Sequence, residues 1–233
     1  MKILTRFLLL LILVTVTLST FAQPAIATDD PVYGFDPLLY NGRVYHYLPE
    51  RGTGGNQFLV DEYDPNGSIT LRGITYPHQV LNFDVYNQKV VLKYKNATGS
   101  TSLIEISGAW FGSFDMDGRH FEIETDVDTT KHIYQVLGSG SDKVMYFLKK
   151  DKLLYNRPIS GSYYFSKVLR ETYVYTGKRK VKYSGNRNFT SAFSPEKQAL
   201  IKEYLHKYKI NVKKASDSVM TDLINYCKTL GGS

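Results

Sequence analysis

The feature that most constrains this chain is a period-two alternation of apolar and polar residues, repeated run after run with turn-forming residues between the runs. Successive side chains of an extended strand point to opposite faces, so each run reads as a half-buried β-strand. Residues 43–48 (RVYHYL) and 57–60 (QFLV) flank the glycine-rich RGTGGN, and residues 68–76 follow a Pro65-Asn66-Gly67 turn. In FDVYNQKVVLKY, Phe83 and Val85 alternate with Asp84 and Tyr86 before a turn at Asn87-Gln88. Phe83, Val85, Val90, Leu92 and Tyr94 have the spacing of a core face, and Asp84 and Lys93 that of a wet one. SLIEIS and AWFGSF make a pair about Gly108, and RHFEIE follows Asp117-Gly118. HIYQVLG joins DKVMYFLKK through Ser139-Gly140-Ser141, and ETYVYT meets KRKVKY at Thr176-Gly177-Lys178. Ten or more strands linked by short turns predict a mainly β chain of the α+β class. The expected form is an antiparallel meander that makes a curved sheet, sandwich or partial barrel. Nineteen tyrosines beside one tryptophan suit a sheet with one wet face.

The two ends have a different character. MKILTRF, the apolar LLLLILVTVTL and the small residues Ala25-Ile26-Ala27 read as a signal peptide over residues 1–27, cleaved after Ala27 or after Ala22. The apolar run from Phe7 to Leu18 falls short of the ~20 residues that cross a bilayer, so no membrane span is expected. At the other end, Ser194-Pro195-Glu196 offers an N-cap, a proline for the first helical position and an acid for the first turn. Ile201, Tyr204, Leu205 and Tyr208 keep helical spacing. A second helix from Ser216-Asp217 carries Val219, Met220, Leu223, Ile224, Cys227 and Leu230 on one side before Gly231 stops it. Residues 28–193 are thus expected to form the β domain, with residues 194–233 a helical pair packed on its sheet. Cys227 is the single cysteine, which leaves no intramolecular disulfide, and its place on an apolar helix side reads as a buried hydrophobe rather than a nucleophile.

Motifs for chemistry are sparse. His46, His78, His120, His132 and His206 are scattered, without HExxH or a Cys/His pair. His120, Glu122, Glu124 and Asp126 share one strand face, but neighbours in such a row sit about 7 Å apart, too far for several to ligate one ion. Glu62 to Gly67 has the outline of a calcium loop, yet Glu stands first, a proline sits inside, and the twelfth position is Gly73; a hairpin turn explains it. RGTGGN and GSGS lack the Lys-Ser/Thr and helix of a phosphate loop, and no Gly-x-Ser-x-Gly elbow is present. No metal, no cofactor and no catalytic residue is expected.

Charge is segregated. Thr28 to Ser139 holds 8 Lys or Arg against 15 Asp or Glu, and Gly140 to Ala215 holds 18 against 5. The densest basic stretch is KRKVKYSGNR. Lys178, Lys180 and Lys182 fall on one strand face, Arg179 and Val181 on the other, and Arg187 lies beyond. Tyr173, Tyr175 and Tyr183 accompany them. These eight residues are the candidate site for an anion or a partner, with the tyrosines as stacking surfaces for sugar rings; lysines that guard a sheet edge explain the same charges without a ligand. Basic residues among aromatics also suit nucleic acid, a partner that export removes.

YNGRVYHYL, GITYPHQVLNFDVYNQKVVLKY, LIEISGAWFGSFDMDGRHFE, IYQVLGSGSDKVMYFLKK and SPEKQALIKEYLHKYKINVKKASDSVMTDLINYC together resemble a group of secreted or periplasmic β-rich envelope proteins of Bacteroidetes-type bacteria. The resemblance rests on strand cadence and the helical tail and carries over no activity and no site residue. It implies a place in the periplasm or at the outer membrane. The expected function is a non-catalytic accessory or binding protein acting through protein–protein contacts. The alternatives are a carrier or sensor of an amphipathic or anionic lipid, glycolipid or glycan, and, ranked last, a glycan hydrolase using carboxylates such as Glu122 and Asp84.

Overall fold

The computed structural model describes residues 25–26, 36–40, 42–95, 99–125, 129–155, 163–177 and 179–230. Its strands are β1 (Ala25–Ile26), β2 (Arg43–Val44), β3 (Asp64–Leu71), β4 (Ile74–Asp84), β5 (Lys89–Lys95), β6 (Thr101–Glu105) and β7 (Phe111–Met116), followed by β8 (Arg119–Thr125), β9 (Lys131–Leu137), β10 (Asp142–Lys149), β11 (Lys152–Leu154), β12 (Tyr163–Phe165), β13 (Leu169–Thr176) and β14 (Lys180–Lys182). The helices are α1 (Pro37–Tyr40), α2 (Asn186–Thr190), α3 (Pro195–Lys207) and α4 (Asp217–Thr229). No helix among the described residues is long and apolar enough to cross a membrane.

Eleven strands form one open antiparallel sheet in the order β14-β13-β10-β9-β8-β7-β3-β4-β5-β6-β2. The predicted meander is present as two, β3 to β6 and β7 to β14, joined where β3 pairs with β7. SLIEIS and AWFGSF are therefore not paired with each other: β6 pairs with β5 and β2, and β7 with β3 and β8. In a flat sheet β6 and β7 would stand about 19 Å apart, close to the full reach of residues 106–110. That link instead closes a turn, with the Trp110 N–H donating to the Ser107 carbonyl at 3.2 Å, so the sheet must curl. The curl is filled by Phe83, Phe114 and Phe121, each fully buried, with Phe114 and Phe121 stacked 4.5 Å apart and Phe83 edge-on to both.

Turn chemistry matches the hairpins. Arg72-Gly73 and Asp117-Gly118 all take positive φ, the backbone of the tight turn whose twist fits paired strands. Pro65-Asn66-Gly67 behaves otherwise: it lies inside β3, where the register against β4 slips twice, so the expected turn is a bulge. A Cβ on Gly67 would come within 2.9 Å of the Gln79 carbonyl oxygen. Only Arg43–Val44 of RVYHYL is strand. Ala25–Ile26, within the predicted signal segment, pairs in parallel with Ile74 and Thr75; cleavage after Ala27 would remove this pairing and cleavage after Ala22 would keep it. The rest of that segment, Asn96, Asp126, Asp128, Lys178 and Gly231 lie outside the described residues.

Helices α2, α3 and α4 cap the inner side of the β10 and β13 end, while Tyr40 of α1 packs on Tyr94 of β5. Met220, Leu223, Ile224 and Cys227 of α4 and Ile201 and Leu205 of α3 join the same core as Val144, Tyr146 and Val174. At about 1.5–3 kcal/mol for each large side chain buried, this face is ample to hold the tail on the sheet. Gly138 allows the approach: its φ is +83, and a Cβ there would meet the Ile224 Cγ2 at 2.8 Å. Ser194 and Ser216 are the N-caps, and Ser216 Oγ accepts from the Val219 N–H. Burial pushes the Cys227 thiol up to about 12, the state of an inert interior residue.

Candidate binding surfaces

The outer face of β9, β10, β13 and β14, away from the helices, holds much of the predicted site. Val174 points into the core and alternation turns Tyr173 and Tyr175 outward, where they meet Tyr134, Val136, Met145 and Phe147 in a second, small apolar cluster. Register sets Lys182 beside Tyr173 and Lys180 beside Tyr175. Lys180 Nζ lies 4.6 Å from the Tyr134 ring centre and 5.4 Å from that of Tyr173, and donates to Tyr134 Oη at 2.8 Å. Lys182 donates to Glu171 Oε2 at 2.7 Å. The bond from Lys182, then those from Tyr173 and Lys149, hold Glu171 down to about 2. A shallow groove of about 210 Å³ between His132, Tyr134, Phe147, Glu171 and Tyr173 completes the face.

Three predicted members leave this group. Tyr183 is only 3% exposed and packs in the main core against Phe189, because alternation turns it opposite to Lys182. Arg179, also on the opposite side, donates to the Ser191 carbonyl. Arg187 belongs to α2 and lines a hollow with Lys202 and His206. Lys180, Lys182, Tyr173 and Tyr175 are brought together; Lys178 lies outside the described residues.

Next to this face runs an ionic row. Ser68 Oγ donates to Asp115, Asp115 meets His120 Nδ1 at 2.7 Å, His120 Nε2 stands 3.5 Å from Glu122, and Lys143 bridges Glu122 and Glu124. The hydrogen bond to Asp115, then that to Glu122, lifts His120 to about 9, and His120, then Lys143, holds Glu122 down to about 2. Of the residues considered as metal ligands, Glu122 and Glu124 are thus paired with Lys143 and His120 with Asp115 and Glu122, and no group of three or more ligating residues occurs among the described residues. The order Ser–Asp–His puts a carboxylate between hydroxyl and imidazole, so His120 has no path to the Ser68 proton, which a Ser-His-Asp nucleophile requires.

Asp84 was expected on the wet face and is fully buried. It does face outward from β4, but residues 45–58 cover it. Asp84 accepts from Tyr45 Oη at 2.6 Å, from Asn87 Nδ2 at 2.7 Å and from the N–H groups of Tyr86 and Asn87. Burial, then the bond to Asp84, pushes the Tyr45 phenol far above its ordinary range. These four bonds tie down the β4–β5 turn and the covering segment.

One surface has the opposite character and was not predicted. Of eight large hydrophobic residues that stand exposed among the described residues, four lie on two neighbouring stretches: Leu48, 87% exposed, and Leu153, Leu154 and Tyr155. Lys152 Nζ to Glu50 at 2.7 Å ties the stretches together. Gly54 pairs with the β11–β12 hairpin on both sides, donating to the Tyr163 carbonyl and accepting from the Phe165 N–H. The result is an apolar pole at the end of β10. Compared with protein-family models, curated proteins and solved structures, the chain finds no match.

Proposed function

We propose that this is an exported accessory protein of a bacterial cell envelope, acting without catalysis by binding another envelope protein at the apolar pole. The observation that carries the reading is the exposure of Leu48 and Leu154, 87% and 58%, on stretches joined by the Glu50–Lys152 pair. Exposed apolar residues gathered in one place mark interaction surfaces, whereas scattered ones do not. The occupant is a protein rather than an acyl layer because an ion pair and the Tyr155 and Tyr164 rings sit within the patch. A protein counter-surface offers polar groups to this pair, whereas hydrocarbon imposes its full desolvation cost. Location in the periplasm or at the outer membrane rests on the signal-like N-terminus and the resemblance. Gentle extraction from the native envelope followed by mass spectrometry tests this. A stoichiometric partner lost from Leu48→Ser/Leu154→Ser and kept by Lys180→Ala/Lys182→Ala is expected; a partner indifferent to the pole variant overturns the reading.

The second reading, recognition of an anionic glycan or glycolipid on the outer face, is favoured by Lys180 between the Tyr134 and Tyr173 rings. Its weakness is that Glu171 already binds Lys182 and Lys149.

A further inference from the structure

The curl leaves a cleft where the β4–β5 turn and the end of β6 face β8 and β9. Its volume is about 410 Å³, within the range of small-molecule sites. Val90, Ile106, Phe111 and Ile133, all buried, give it an apolar floor. The mouth carries Lys131 and the Lys89–Glu105 pair, 2.6 Å apart, so its net charge is positive.

Gln88 forms a rigid wall. Its Nε2 donates to the carbonyls of Val85 and Leu148, at 2.8 and 2.9 Å, which fixes the amide. Its Oε1 is buried and turned away from the open space of the cleft. Its φ of +57 is the left-handed backbone of the β4–β5 turn.

We propose that this cleft binds a small amphipathic anion, with its apolar body on Ile106, Phe111 and Ile133 and its charge against Lys131. The inference does not depend on docking at the pole, which involves none of these residues. Anilinonaphthalenesulfonate carries both features, an aromatic body and a sulfonate, and serves as the probe.

Titration of the folded full chain should show one saturable site, with the methyl resonances of Ile106, Ile123 and Ile133 shifting on binding. Lys131→Glu, at an exposed position, should weaken the probe by about tenfold. Leu48→Ser/Leu154→Ser should bind as the parent does. Absence of saturable binding, affinity unchanged in Lys131→Glu, or shifts at Leu153 and Leu154 in place of the isoleucines would overturn the proposal.

Discussion

The lysine face and the apolar pole stand at opposite extremes of satisfaction. On the face, each charge named above meets a partner: Lys182 and Lys149 share Glu171, Lys143 bridges two glutamates, and Lys180 rests on two tyrosine rings. At the pole, Leu48, Leu153 and Leu154 stand in water with little protein to cover them. Charge density, the more conspicuous feature in the sequence, marks a surface that completes itself. The pole shows little in the sequence, yet it is the surface with contacts left to make. The lesson is to ask which groups lack partners, since a ligand gains most free energy from those.

The difference can be broken most severely at Lys143, whose side chain is 13% exposed between Glu122 and Glu124. Lys143→Ala leaves Glu124 without its cation and Glu122 with His120 alone, and should cost about 2 kcal/mol in urea unfolding. Leu154→Ser, by contrast, should change stability by less than about 0.5 kcal/mol. Equal effects would mean that face and pole are not differently built.

Titration sharpens the picture with a smaller effect. Folding raises His120 from its ordinary 6.5 to about 9, so its stabilisation is complete below pH 6.5 and is lost as pH rises through 9. Folding lowers Glu122 from 4.5 to about 2, so its share is complete above pH 4.5 and is lost as pH falls through 2. The row should therefore contribute most between pH 4.5 and 6.5. Solvent screening at a histidine side chain 41% exposed keeps the alkaline loss to roughly 1 kcal/mol or less. His120→Gln should flatten the stability profile between pH 6.5 and 9, and an unchanged profile would remove His120 from the row. Smallest of all is Lys182→Ala: its pair with Glu171 is at the surface, and melting should register a shift of no more than about 0.5 kcal/mol.

Much of this architecture was legible. Alternation located the β9–β10 and β13–β14 hairpins, Ser194-Pro195 and Ser216 the starts of α3 and α4, and helical spacing the buried side of α4 with Cys227. It also placed Phe83, Val85, Val90 and Leu92 in the core. What escaped depended on distant neighbours. Gly108 reads as a hairpin because local residues do not record that β7 must return beside β3. Asp84 reads as wet because alternation tells the side of a strand, not whether another segment covers that side. Leu153 and Leu154 draw no reading, since nothing nearby reveals that β11 leaves the main sheet for β12. Tyr183 was the avoidable miss: the period that put Lys180 and Lys182 together sets it on the other face.

Lysine-reactive crosslinking in the intact envelope, with the linked residues identified by mass spectrometry, tests the docking claim most directly. Lys152, paired with Glu50 inside the pole, and Lys167, just past the β11–β12 hairpin, report on one surface; Lys180 and Lys182 report on the other. The account predicts intermolecular links to one protein from Lys152 and Lys167. Links to that protein from Lys180 and Lys182, with Lys152 and Lys167 unlinked, would contradict it and give the lysine face the role assigned here to the pole.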